Sequence, residues 1–253
     1  MAQDLTGQAI AITGASSGIG EATALACARA GASVALAARR ADRVQALAQR
    51  IEQEGGRAVA LPTDVTDERQ ARAFVEHAYE AFGRLDGLVN NAGVMLLGAV
   101  TGADTAQWRR MIDVNVLGLL YCTHAAIPVM QRNADPAGGH IVNVSSTAGR
   151  NASLGAAVYN LTKFGVCGFS EALRQEVLHH GIRVTVVEPG FTASELLDHN
   201  TDPMVQAGAA HRRQEIGKVL ESEDVAAAIV YALEQPAHVS VNEILVRPTG
   251  QRT

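Results

Sequence analysis

Thr13-Gly14-Ala15-Ser16-Ser17-Gly18-Ile19-Gly20 is the stretch that decides the fold of this 253-residue chain. It follows directly on an apolar run at 9–13 and leads into a helical pattern at 19–30. The three glycines act differently. Gly14 permits a tight turn, Gly18 lets the backbone approach a diphosphate, and Gly20 lets helix and strand pack closely. The start of the following helix offers free N–H groups and a positive dipole end to phosphate oxygens. A glycine triplet alone is equally a structural turn. Here it opens a strand–helix–strand unit, which favours a phosphate-binding loop that includes Ser16, Ser17 and Ile19.

Outward from this loop the same rhythm repeats. Short apolar runs at 9–13, 33–38, 58–61, 87–91, 140–144, 183–188 and 243–246 read as strands buried on both faces, because they are apolar throughout rather than alternating. Helical patterns lie between them at 19–30, 42–54, 68–82, 104–130, 158–180 and 222–234. Asp67 and Ser222 read as N-caps, and Gly31, Gly55, Gly83 and Gly181 sit where helices stop. The order predicts a single-domain α/β Rossmann fold over 1–253: a doubly wound parallel sheet of about seven strands with helices on both faces. One segment, 191–218, is polar and breaks the rhythm after the sixth strand. Its place at a strand's carboxyl end suits a substrate lid, and an ordinary surface helical hairpin fits it equally well.

Composition excludes several classes. Apolar residues at 47% and charged residues at 19% fit a folded globular chain rather than a disordered one. Acidic residues outnumber basic ones, 26 to 21, which argues against a nucleic-acid partner. Read as uninterrupted runs, no apolar stretch approaches a membrane span, so no membrane partner is expected. The N-terminal MAQDLTGQ carries neither a basic leader nor an apolar core, and a cytoplasmic protein is expected. Cys27, Cys122 and Cys167 lie far apart in apolar stretches and read as reduced core thiols. The histidines show no ligand spacing, so no metal is expected.

The end of the second strand bears on the choice of dinucleotide. A carboxylate there accepts from the ribose 2′-OH of NAD, and this chain instead reads Ala37-Ala38-Arg39-Arg40. A guanidinium suits a 2′-phosphate by charge and fork geometry, which points to NADP(H) with Arg39 and Arg40 as contacts and the Ser17 hydroxyl nearby. The other reading makes the arginines the start of a solvated helix face. Asp64-Val65 follows the third strand, where Asp64 either accepts from an adenine amino group or begins a turn. Asn90-Asn91-Ala92-Gly93 follows the fourth, as a loop small enough to approach the cofactor or as a plain turn.

Tyr159 and Lys163 lie four residues apart in a helical pattern and so share a face. An ammonium beside a phenol favours the phenolate and draws its pKa down from about 10, making the tyrosine a usable general acid or base. Such a pair alone is more often a solvated face. Ser146 lies 13 residues earlier, just after the fifth strand, where its hydroxyl can reach a substrate oxygen. Asn115, within the apolar stretch 104–130, reads by itself as a surface or helix-bending residue.

Taken together, TGASSGIG, NNAG at 90–93, Asn115 in DVNVLG, Ser146 in SSTAG, Tyr159 and Lys163 in YNLTK, and Pro189-Gly190 resemble the short-chain dehydrogenase/reductase family over nearly the whole chain. The resemblance implies hydride transfer between NADP(H) and a small carbonyl or alcohol substrate. It gives Tyr159 the proton, Lys163 the nicotinamide ribose hydroxyls, Ser146 the substrate oxygen, and Asn115 a water in a proton relay. The backbone after Pro189-Gly190, with Thr192 close by, would bind the nicotinamide carboxamide. Ser194 stands where the family often has threonine, which leaves that contact open. Stretches 94–100, 163–176 and 243–251 are similar to a branch containing NADP-dependent hydroxy-acid dehydrogenases and clavaldehyde reductases. The family also implies a homo-oligomer, dimer or tetramer. A redox-neutral isomerase or dehydratase, or a non-catalytic NADP(H) sensor on the same fold, remains the alternative. Met95, 150–158 and 191–218 are expected to line the substrate pocket, with Arg150, His199 or Arg212 as possible carboxylate contacts or plain surface residues.

Overall fold

The run Ala9–Thr13 forms β1, the centre of a parallel sheet; the computed structural model describes residues 4–134 and 137–252. In chain order there follow α1 (Gly18–Arg29), β2 (Ser33–Ala38), α2 (Ala41–Gln53), β3 (Arg57–Pro62), α3 (Glu68–Phe82) and β4 (Gly87–Asn90). The second half comprises α4 (Thr105–Ile112), a π-helical turn (Asp113–Gly118), α5 (Leu119–Met130), β5 (Gly139–Val144), α6 (Ala157–Val177), β6 (Ile182–Pro189), α7 (Pro203–Ile216), α8 (Ser222–Leu233) and β7 (Glu243–Val246).

The seven strands stand in the order β3-β2-β1-β4-β5-β6-β7, all parallel. The chain builds outward from β1 to β3, then returns to pair β4 with the other edge of β1. That reversal opens a crevice beyond the carboxyl ends of β1 and β4, where ligands bind in open α/β sheets.

Side chains alternate across the sheet, so each face acquires its own core. Ile10, Ile12, Val34 and Leu36 pack on one face with Cys27 of α1, Val44 of α2 and Ile229 of α8. Ala11, Ala35, Leu88 and Ile141 point the other way, toward Phe74 of α3, Cys122 and Val129 of α5 and Leu173 of α6. Burying a side chain such as Phe74 or Ile229 contributes about 1.5–3 kcal/mol, which explains why these strands read as unbroken apolar runs.

The helix ends follow local chemistry. The Asp67 carboxylate accepts from the Arg69 and Gln70 N–H groups and caps α3, and Gly83 stops that helix at φ +75°. Ser222 is not a cap. It is the first residue of α8, whose N-cap is Glu221, with the Glu221 N–H donating to Asp224 at 2.9 Å. The hydroxyl of Ser222 turns toward the Ala193 carbonyl instead, at 3.4 Å.

Residues Thr105–Met130 do run as one helix, interrupted by the π-helical turn that contains Asn115. By length and composition it is apolar enough to cross a membrane, although no uninterrupted apolar run within it is that long. Its apolarity has another use here: Met111, Val114, Cys122, Ala126 and Met130 belong to the core under the sheet. Cys27 and Cys122 are buried, and burial pushes both thiols up to about 12. Cys167 departs from the core-thiol expectation: it is half-buried, with Ser145 Oγ at 3.2 Å and Glu188 Oε1 at 3.4 Å.

Candidate active site

The strand carboxyl ends open into a cleft of about 1330 Å³. That exceeds the roughly 300–1,000 Å³ of an ordinary small-molecule pocket and gives room for a dinucleotide and a substrate together. All the residues expected to contact a cofactor line it except Gly20. Gly20 lies behind the turn, where an added Cβ would collide with the Gly14 carbonyl.

At one end lies the glycine-rich turn. Gly14 has φ +67°, and a Cβ on it would stand 2.8 Å from the Ala92 Cα. The turn and the β4 loop are therefore in backbone contact. Asn91 stitches them together, its Nδ2 donating to the carbonyls of Thr13 (3.0 Å) and Gly14 (3.3 Å), while Thr13 Oγ1 accepts from the Asn91 and Ala92 N–H groups at 3.1 Å. Asn91 thus lines the cleft but spends its amide on the turn. Asn90 lies inside the sheet, donating to Thr123 and Asn143 at 2.9 Å. Ser194 faces Gly18 across the mouth of this turn.

The two arginines after β2 differ. Arg39 is exposed beside the cleft and makes no side-chain hydrogen bond or ion pair among the described residues. Arg40 donates to Ser16 Oγ (2.8 and 3.0 Å), Ser17 Oγ (2.7 Å) and Glu195 Oε2 (2.8 Å). Asp64 lines the cleft while its Oδ1 accepts from the Thr66 N–H (3.0 Å) and Oγ1 (2.8 Å), so it forms a turn and faces the cleft at once. Val65 next to it is buried against Gly118 of the π-helical turn.

Tyr159, Lys163 and Ser146 stand at the other end. Tyr159 is 5% exposed, and Lys163 Nζ lies 5.8 Å from its ring centre while donating to the Val144 carbonyl at 2.9 Å. Burial pushes the Tyr159 phenol up to about 12, and the hydrogen-bonded Ser146 hydroxyl pulls it the other way. Burial also lowers Lys163 to about 8. The sequence predicts a phenol drawn down by the ammonium; the protein without ligand has the reverse, because desolvation outweighs a charge aimed at a carbonyl.

Asn115 is neither a surface nor a merely bending residue. It is 2% exposed, its Oδ1 accepts from the Val94 N–H (2.8 Å), and its Nδ2 donates to the Val94 carbonyl (2.8 Å) and Thr162 Oγ1 (3.2 Å). It fixes the loop after β4 against α6. Pro189 and Gly190 end β6 at the cleft, with Thr192 Oγ1 donating to the Gly190 carbonyl at 3.0 Å.

The substrate side is lined by Met95, 150–156, Leu196, Leu197, His199, Met204 and Val205, with Leu154 and Met204 largely exposed at the mouth. Arg150 also borders the cleft, but its guanidinium is held by buried Glu188 at 2.6 Å and by Glu243. That engagement removes it as a free carboxylate contact. Burial and the nearby Arg110, Arg39 and Arg40 lower the His199 pKa, favouring a neutral imidazole. Arg212 lines the cleft from α7.

Sequence reasoning passed over several residues. Asn160 donates to the carbonyls of Ala148 (2.7 Å) and Asn151 (3.0 Å) and accepts from the Ser153 N–H (3.2 Å), shaping the loop beneath the substrate. Asn200, 4% exposed, pins the segment after β6 by accepting from Leu97 N–H at 2.7 Å and donating to the Met95 carbonyl at 3.0 Å. Gln251, near the end of the chain, accepts from the Phe191 N–H at 2.7 Å. Asn160 carried a signal, one residue past Tyr159; the others meet their partners only through the fold.

Residues 8–204 match the family model described as short chain dehydrogenase. The chain is 42% identical over 247 residues to a glycine betaine reductase of Emericella nidulans, a match spanning 98% of this chain and 19% of that longer protein. It is 39% identical over 249 residues to an uncharacterized oxidoreductase of Staphylococcus saprophyticus, covering 96% of each. A solved short chain dehydrogenase from Burkholderia cenocepacia in complex with NADP superposes with a TM-score of 0.85 at 29% identity, covering 96% of this chain and 98% of that one.

Proposed function

The chain belongs to the short chain dehydrogenase family, and from that premise we propose that it interconverts a carbonyl compound and its alcohol using NADP(H), with Tyr159 as proton donor and acceptor. The observation that carries this reading is the shared cleft: Tyr159, Ser146 and Lys163 at one end, the glycine-rich turn and Arg39 at the other.

The residues fit the cofactor. Gly14 and Gly20 let the turn close on the β4 loop and on itself, and Gly18, at φ +57°, lines the cleft with bare main chain for a diphosphate to approach. No carboxylate ends β2, and Arg39 offers an unpaired guanidinium for a 2′-phosphate. The Burkholderia cenocepacia relative, in complex with NADP, supports the same choice.

A nicotinamide coenzyme held in the cleft would supply or accept a hydride at the carbonyl carbon. Ser146 donates a hydrogen bond to the substrate oxygen. Tyr159, whose phenol burial favours in the protonated form, would deliver that proton to the oxygen in reduction and be left as phenolate; in oxidation the phenolate would take the proton from the alcohol. Lys163 would hold the ribose hydroxyls beside Tyr159. Both N–H groups of the Asn115 amide are spent on Val94 and Thr162 and its Oδ1 already accepts from the Val94 N–H, so a relay water would rest on the backbone of the π-helical turn. Residues 191–218 cover the substrate side as a lid, and the apolar wall of Met95, Leu154, Leu196, Met204 and Val205 favours a substrate with an apolar body. The exposed Leu161 and Phe164 on α6 support assembly into dimers or tetramers.

The test is NADPH and NADH consumption, followed by absorbance, against a panel of aldehydes, ketones and keto acids with wild type and Tyr159→Phe. Consumption of NADPH by wild type, reduced by about 10²–10⁴-fold in the variant while NADPH still binds, is the expected result. Near-normal turnover by Tyr159→Phe would overturn the assignment.

A further inference from the structure

Arg40 and Arg43, beside the adenosine end of the cleft, are already engaged, and what engages them is a carboxylate from the segment after β6. Glu195 Oε2 accepts from Arg40 Nη1 at 2.8 Å, and its Oε1 accepts from Arg43 Nη1 at 2.7 Å. The same Arg40 donates through Nε and Nη2 to Ser16 and Ser17 of the glycine-rich turn. Both Arg40 and Glu195 line the cleft. A carboxylate thus sits where guanidinium and hydroxyl groups converge, the donor set a phosphate ester also seeks.

We propose that Glu195 is a coenzyme-specificity residue, an internal competitor that the 2′-phosphate of NADP(H) must displace from Arg40. The proposal rests on the NADP(H) reading above.

Three features of the site argue for it. First, the two anions want the same groups: a phosphate at Ser16, Ser17 and Arg40 would lie within a hydrogen bond or two of the Glu195 carboxylate. Second, Glu195 does not escape the repulsion by taking up a proton. Its hydrogen bonds to Arg43 and Arg40 hold its pKa down to about 2, so it stays ionised throughout the neutral range. Third, the contact joins parts far apart in the chain, the start of α2 and the segment between β6 and α7. That segment has a second anchor on the substrate side, at Asn200, and a backbone tie where the Ala193 N–H donates to the Leu220 carbonyl at 2.8 Å. Loss of the Glu195 contact leaves both ends of the segment held, so the phosphate has only a side chain to displace. NAD(H), with a neutral 2′-hydroxyl, lacks the charge to displace Glu195.

The test measures NADPH and NADH dissociation constants by calorimetry for wild type and Glu195→Gln. NADPH is expected to bind Glu195→Gln about five- to tenfold tighter than wild type, the scale of two exposed ion pairs, with NADH affinity changed by less than about twofold. Unchanged NADH binding also shows that the variant is folded. Wild type preferring NADPH, with no tightening in Glu195→Gln, overturns the competitor and leaves the coenzyme reading intact. Wild type without preference for NADPH overturns the coenzyme reading and this proposal with it.

Discussion

Lys163 stands one helical turn beyond Tyr159 on α6, its Nζ 5.8 Å from the centre of the phenol ring. Burial drives the two groups in opposite directions, the phenol up to about 12 and the ammonium down to about 8. In each case the uncharged form gains.

This arrangement makes stability depend on pH. In the unfolded chain the lysine titrates at its ordinary 10.5, so between pH 8 and 10.5 the unfolded state holds a proton that the folded state has lost. The lysine's contribution is complete above 10.5 and is lost as pH falls through about 8. The tyrosine works the other way, present below 10 and lost as pH rises through about 12. From pH 7 to 9.5 the lysine dominates. Thermal midpoints of wild type and Lys163→Met over that range should diverge, the difference shifting in favour of wild type as pH rises. A pH-independent difference would contradict the burial argument.

Arg39 supports a second prediction. It is exposed and unpaired among the described residues, so Arg39→Ala should change stability by less than about 0.5 kcal/mol. Loss of a charge-assisted contact to a phosphate costs about 1.5–3 kcal/mol, so NADPH binding should weaken by roughly tenfold or more while NADH binding holds. Equal weakening of both coenzymes would point to general disruption of the cleft.

Much of the site was legible because it is local. The turn at 13–20 and the Tyr159–Lys163 pair each lie within one loop or one helical turn, so spacing sufficed. β1 and β2, buried on both faces, were bounded correctly by their unbroken apolar runs. What escaped depends on contacts made only after folding. Glu195 meets Arg40 across 155 positions, and Arg150 meets Glu243 across 93. The direction of the Tyr159 shift was misjudged because spacing gives the proximity of Lys163 but not the depth of burial. The π-helical turn keeps the apolar pattern of the surrounding helix, so nothing in periodicity marks it.

Asn160 gives a third test. Its buried amide shapes 148–153 through three hydrogen bonds to backbone groups. Asn160→Ala leaves those groups unpaired and should cost about 1–3 kcal/mol in thermal or urea unfolding. The loop borders the substrate side and not the adenosine end, so KM for the carbonyl substrate should rise while NADPH affinity stays put. An unaltered KM would mean that the loop keeps its shape without the amide.

Two glycines separate backbone strain from close approach. Gly14 at φ +67° and Gly55 at φ +89° both occupy the left-handed region, so alanine at either should cost about 1–2 kcal/mol in strain. They differ in surroundings. A Cβ at Gly55 meets nothing within 4 Å, whereas one at Gly14 would stand 2.8 Å from Ala92 Cα and 2.9 Å from Asn91 Nδ2. Gly55→Ala should therefore lower the unfolding midpoint and leave NADPH affinity unchanged. Gly14→Ala must also push the β4 loop off the glycine-rich turn, loosening the Asn91 contacts to Thr13 and Gly14 that hold the cleft's floor. Its NADPH binding should fall by at least tenfold, beyond what the matched loss of stability explains. Calorimetric titration of both variants checks this. Similar NADPH affinities in the two would show that the turn tolerates displacement, and that the contact between Gly14 and Ala92 is not what shapes the diphosphate site.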